Sequence, residues 1–236
     1  MNEAAEKIDF FTHRIGALDM GDKEKIIALF NKNVKGNRAD TSRMNVDHDG
    51  KGGHWLERMM GVKANASNSP DLYGYEMKNH TGSKTTFGDW SADSYIYKDK
   101  DYNFTRDNFL AFFGQPNKKK GGRLSWSGKP APVIKKINQF GQILLIDQNS
   151  NILAQYNFSK DQRKEKFSII PANLQIDNLT IALWKKESLK KKLEKKFNQK
   201  GWFKCIKNKE GLYESIVFGD PISFETWIKF VKSGDV

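Results

Sequence analysis

The segment Pro70-Asp71-Leu72-Tyr73-Gly74-Tyr75-Glu76-Met77-Lys78 brings together an aspartate, a glutamate and a lysine. Two carboxylates can hold a hard divalent cation, which takes oxygen ligands and keeps several waters. A lysine beside them can orient a water and stabilise charge developing on a phosphate oxygen. That is equipment for phosphodiester hydrolysis. The Asp/Glu-x-Lys pattern alone is weak, because Asp49-Gly50-Lys51 and Glu194-Lys195-Lys196 match it too. Asp49 falls in a glycine-rich loop, and Glu194 in a lysine-rich helix whose charges read as a solvated face. Only Glu76 sits on an alternating strand. Strand period puts Glu76 and Lys78 on one face, with Tyr73, Tyr75 and Met77 forming an apolar opposite face. Asp71 enters from the preceding turn, where Gly74 lets the backbone bend. Glu57 precedes them on a short helix among Trp55, Leu56, Met59 and Met60, where a carboxylate is costly unless paired, metal-linked or turned to solvent.

The surrounding elements follow from periodicity. Residues 5–18 and 23–34 read as amphipathic helices and 54–60 as a helix stopped by Gly61. Strands are expected at 94–97 and 179–184, helices at 106–113, 187–197 and 224–231, and hairpins at 143–147/152–158 and 202–207/212–218. Residues 115–132 read as a basic, flexible stretch. The sum is a mixed α/β (α+β) domain with an antiparallel-rich sheet. It is expected to run as one unit over 1–236. Any division into lobes framing a cleft would set 1–35 plus 50–185 against 186–236.

Lys and Arg number 40 against 28 Asp and Glu, a net charge of +12. This favours a polyanionic partner, nucleic acid first. Cys205 is the only cysteine, which excludes an internal disulfide and a thiolate-only zinc site; it reads as a buried small apolar residue. No apolar run is long enough to span a bilayer, and the N-terminus carries no signal-peptide pattern, so a cytoplasmic location in a prokaryote and no membrane partner are expected. Lys118-Lys119-Lys120-Gly121-Gly122-Arg123, beside Phe112, Phe113 and Trp126, is the densest basic loop and the first candidate for DNA contact. Asn79 and His80 directly follow the catalytic strand and can reach base edges. Arg43 is a weaker DNA-binding candidate. The Lys190–Lys196 helix reads as a solvated face.

The run Gly53-His54-Trp55-Leu56-Glu57-Arg58-Met59-Met60-Gly61-Val62, then Asn65, Asp71-Leu72 and Glu76-Met77-Lys78, resembles the MvaI/BcnI family of type II restriction endonucleases. It is also similar to the mismatch-repair nicking endonuclease MutH. The resemblance is good over residues 50–80 and looser to 125; Met77 stands where leucine is usual. It implies a PD-(D/E)xK core, Mg²⁺-dependent cleavage (Mn²⁺ substituting), and Asp71, Glu76 and Lys78 as the catalytic triplet with Glu57 as an extra helix carboxylate. Asp71 and Glu76 would be the metal ligands. It further implies a monomer nicking the two strands of double-stranded DNA in turn at a short interrupted site of the CC-N-GG kind. A cognate DNA methyltransferase would protect host DNA without binding the nuclease. Two alternatives stay open at this point: a MutH-like strand-nicking repair enzyme and a non-catalytic DNA-binding protein.

Overall fold

Two β-sheets carry the chain, and the strand with Glu76 lies at the edge of the smaller one. The computed structural model describes residues 20–42, 50–62, 68–80, 86–88, 90–118 and 121–235. The expected helix at 5–18 and Arg43, Asn65, Lys119 and Lys120 lie outside the described residues.

Helix α1 (Asp22–Asn33) begins with Asp22 and Glu24 and ends with Lys32, charges that complement its dipole. Ile26, Phe30 and the following Val34 form its buried stripe. Helix α2 (Lys51–Met59) starts inside the expected glycine-rich loop and buries Trp55 and Leu56. Strand β1 (Tyr75–Asn79) pairs in parallel with β8 (Gly201–Lys207), which pairs antiparallel with β9 (Tyr213–Gly219). Helices α1 and α2 cover one face of this sheet, where Tyr75, Met77, Phe203, Cys205 and Tyr213 meet Ile26, Phe30, Trp55 and Leu56.

The second sheet has the order β2 (Ser94–Tyr95), β7 (Leu179–Trp184), β6 (Ile152–Asp161), β5 (Phe140–Ile146), all antiparallel. Helix α3 (Arg106–Phe113) is fixed by a capping box between Thr105 and Asn108. A small ladder, β3 (Gln115–Pro116) with β4 (Leu124–Ser125), orders the start and middle of the stretch expected to be flexible. A single helical turn, α4 (Lys166–Ile169), connects β6 towards β7. Helices α5 (Lys186–Phe197) and α6 (Phe224–Ser233) pack through Leu189, Leu193, Phe197, Trp227, Ile228 and Val231.

Most expected elements are present within a residue or two of their ends. Three differ. Residues 96–98 form a 3₁₀ turn and not more strand. Tyr73 is not part of a buried strand face; it is 46% exposed at the turn before β1. The sheet bearing Glu76 is mixed, because β1 finds its neighbour near the other end of the sequence. That pairing joins residues on both sides of the expected lobe boundary at 185/186.

Phe203 is fully buried at the centre of this sheet. Phe203→Ala is expected to destabilise the protein by about 3–5 kcal/mol, from lost transfer energy and the cavity left behind. Urea unfolding followed by tryptophan fluorescence measures this. A loss below about 1 kcal/mol would show that the sheet is not packed as described.

Candidate active site

The segment from Asp71 to Lys78 is set by a tight turn. Leu72 and Tyr75 exchange backbone hydrogen bonds of 3.0 and 2.8 Å, and the two residues between them have φ of 49° (Tyr73) and 85° (Gly74). Positive φ at both central positions is the type I′ pattern, and glycine takes the second of these without strain. The turn folds the chain back so that Asp71 Oδ2 accepts a hydrogen bond from the backbone N–H of Met77 at 2.9 Å. Asp71 is thereby locked beside Glu76.

Glu76 is 3% exposed. Lys78 Nζ donates to Glu76 Oε1 at 3.0 Å. The ammonium of Lys78 is also 4.9 Å from the ring centre of Phe197 and 5.6 Å from that of Phe87, so aromatic faces hold it from the helix side. Lys196, from α5, reaches the same Oε1 at 3.3 Å. Burial raises the Glu76 carboxyl above its ordinary range; Lys78 pulls it down, Asp71 raises it further, and Lys196 pulls it down. Glu76 Oε2 is buried and makes no hydrogen bond among the described residues.

An unpartnered buried carboxylate oxygen is costly, and a cation is the partner that removes the cost. Asp71 and Glu76 therefore fit a divalent metal site. Among the described residues there is no cluster of three or more His, Cys, Asp and Glu able to hold an ion. Two carboxylates with the rest of the sphere left to water and phosphate suit a hard cation of the Mg²⁺ type.

The other expected site residues distribute as follows. Glu57 lies on the outer face of α2, 37% exposed, with its Oε2 3.1 Å from His54 Nδ1. This is the solvent-facing, paired reading of that carboxylate; among the described residues it makes no ion pair with Lys78. Asn79 Oδ1 accepts from the Tyr213 hydroxyl at 2.8 Å, and Tyr213 stacks on Trp55 with ring centres 5.6 Å apart. Gly52, at the start of α2, leaves room for the Asn79 amide: a Cβ there would lie 3.3 Å from its nitrogen. His80 directly follows β1, and its Nδ1 is buried with no hydrogen bond among the described residues. Lys118 is exposed in the loop after β3. Arg123, also exposed, lines a cleft of about 470 Å³ with Lys98, Arg106, Tyr97 and Trp126.

Lys196 was not among the expected site residues; its helix read as a solvated face. The helical period already marked it. Lys196 follows Leu189 by seven positions and Leu193 by three, which returns it to the buried stripe. Lys204 is a second addition: it pairs in register with Lys78 on the neighbouring strand.

The LlaMI restriction endonuclease family model matches residues 34–236. The chain belongs to that family. It is 47% identical over 235 residues to the type II restriction enzyme ScrFI of Lactococcus lactis subsp. cremoris, covering 91% of this chain and 87% of that one. Its fold is similar to that of restriction endonuclease MvaI, solved as a complex with its cognate DNA substrate, with a TM-score of 0.56 and 14% identity over 90% of this chain and 78% of that one. The fold is thus of the PD-(D/E)xK kind, and the resemblance found in the sequence holds. Membership makes the chain a type II restriction endonuclease acting on DNA, an enzyme and not a DNA-binding protein without activity. Restriction endonucleases of this kind generally use divalent metal ions. Among the described residues no helix is long and apolar enough to cross a membrane.

The raised Glu76 carboxyl makes a pH-dependent prediction. Its folded value lies above its unfolded one, so the ionised form destabilises the metal-free protein at neutral pH. That penalty fades as pH falls through the folded value towards the unfolded one. Glu76→Gln is expected to raise the thermal midpoint of metal-free protein at pH 7.5, about three pH units above the ordinary glutamate value, and the gain should shrink on acidification. A midpoint lowered at neutral pH would contradict the reading of Glu76 as a destabilising, functional carboxylate.

Proposed function

We propose that the chain cleaves double-stranded DNA with Mg²⁺ held by Asp71 and Glu76, at a short interrupted site of the CC-N-GG kind, nicking one strand and then the other as a monomer. The observation that carries the metal assignment is Glu76, buried beside Asp71 with one oxygen on two lysines and the other without a hydrogen bond among the described residues. When bound, the cation would polarise the scissile phosphate and acidify a water. Lys78 has the charge, the reach and the rigid aromatic support to orient that water and stabilise charge on the phosphate oxygens. Glu57 is assigned as the additional helix carboxylate on the strength of the motif that places it before Gly61-Val62.

For DNA contact we assign Asn79 and His80 at the end of β1, Lys118 and Arg123 on the basic loop, and, from the sequence alone, Lys119, Lys120 and Arg43. The excess of +12 supports a long phosphate footprint. The interrupted site and the monomer rest on the family resemblance. A single chain carrying one catalytic set must reposition to cut the second strand. A cognate methyltransferase, acting on the DNA alone, completes the system.

The decisive experiment is plasmid cleavage by the purified protein with Mg²⁺ and with EDTA, followed by sequencing of the fragment ends. Discrete fragments that require the metal are expected, with ends defining one short site. Asp71→Ala, Glu76→Ala and Lys78→Ala are each expected to slow cleavage by roughly 10³-fold or more while retaining DNA binding. Normal cutting by all three variants would falsify the assignment of the catalytic set.

Strand order has its own test. Open-circular plasmid should accumulate before linear product when enzyme is scarce. Simultaneous appearance of linear product at every enzyme concentration would instead require a second active site.

DNA binding should also depend steeply on salt. With six to ten phosphate contacts, affinity is expected to fall by about 10³–10⁵ between 50 and 200 mM salt. A change under about tenfold, measured by fluorescence anisotropy with Ca²⁺ in place of Mg²⁺, would remove the basic loop from the footprint.

A further inference from the structure

Glu76 has more cationic company than the motif requires. Lys78 and Lys196 both address Oε1, at 3.0 and 3.3 Å. They arrive from opposite parts of the fold. Lys78 comes from the same strand, two residues on. Lys196 comes from α5, whose phase is fixed by buried Leu189, Leu193 and Phe197. One turn earlier on α5, Lys192 lies 4.0 Å from Asp93, a further tie of the helix to the segment before β2. The Lys196 side chain is only 24% exposed, so its position is set by packing and not by free rotation in water.

The proposed reaction makes two demands on Lys78 that conflict. It is the hydrogen-bond partner of a buried carboxylate, and it is also the group that must turn to the attacking water. If Lys78 left with nothing in its place, Glu76 Oε1 would be a buried charge without its hydrogen-bond donor, which a protein interior strongly disfavours. A second ammonium already in place removes the conflict. We propose that Lys196 is a positioning residue: it remains as the standing counter-ion of Glu76 Oε1 and so frees Lys78 to act on the water and the phosphate. This rests on the metal-site reading given above. Charge supports the same division: two ammonium groups, Lys78 and Lys196, share the one Glu76 oxygen, so one can turn away while the other stays.

The test uses the full chain with Lys196→Met and Lys196→Arg, beside Lys78→Met and Asp71→Ala. Mn²⁺ binding without DNA is followed by calorimetry, and single-turnover cleavage at saturating metal by gel. Removing a positive charge next to the ligand oxygens should tighten Mn²⁺ binding by about threefold or more in Lys196→Met. Its cleavage rate should fall by about tenfold or more while DNA affinity stays unchanged, and Lys196→Arg should recover most of the rate. A merely structural lysine would give weaker metal binding and slower cleavage together.

Several outcomes overturn the proposal. Lys196→Met with unchanged rate and unchanged Mn²⁺ affinity makes the contact a surface ion pair. Loss of metal binding, DNA binding and rate together makes Lys196 a prop for the fold. An arginine variant as slow as the methionine variant shows that charge at this position is not what matters. Asp71→Ala that binds Mn²⁺ like the unaltered protein overturns the metal-site reading itself, and the proposal with it.

Discussion

Glu76 is a carboxyl kept almost wholly out of water, and the surrounding structure is arranged to make that tolerable. Desolvation raises its proton affinity; two lysines oppose that rise; Asp71 restores part of it. One oxygen is satisfied and, among the described residues, the other makes no hydrogen bond. A residue buried for stability would have both oxygens paired or be replaced by an apolar group. A residue kept for binding a cation retains an unsatisfied atom in a shaped site, and stability is the quantity given up. The type I′ turn, the aromatic rings around Lys78 and the phase of α5 all serve that one geometry.

Much of this was legible in the sequence because its signals are local. The helix at 106–113, the helix at 187–197 and the strand at 179–184 are each dictated by residues within one or two turns of themselves. Asp71, Glu76 and Lys78 belong to the same class: turn chemistry and strand period place them, with Gly74 supplying the left-handed backbone. Glu57 was half legible. Helical period located it on α2, but whether it faces the core or solvent depended on the phase of Trp55 and Leu56 against the sheet.

What the sequence hid is non-local. Nothing near β1 announces that its neighbour is β8, and nothing near Lys196 announces Glu76. Parallel pairing between distant segments leaves no short-range signature. Lys196 was masked by composition, because a helix crowded with lysine looks solvated even when one of them lies on the apolar stripe. Tyr73 failed for the opposite reason: an aromatic beside a strand reads as core, while the turn turns it outwards.

The register of β1 against β8, Tyr75 opposite Gly201, has a consequence for the life of the enzyme. During synthesis the motif segment leaves the ribosome long before the strand that flanks it. A nascent or truncated chain holds Asp71, Glu76 and Lys78 but not β8, and without it β1 has no neighbour in its sheet. The sheet that holds Glu76 therefore forms only after Gly201–Lys207 has been made. For an enzyme that acts on DNA, the topology ties the sheet around Glu76 to the synthesis of both distant segments.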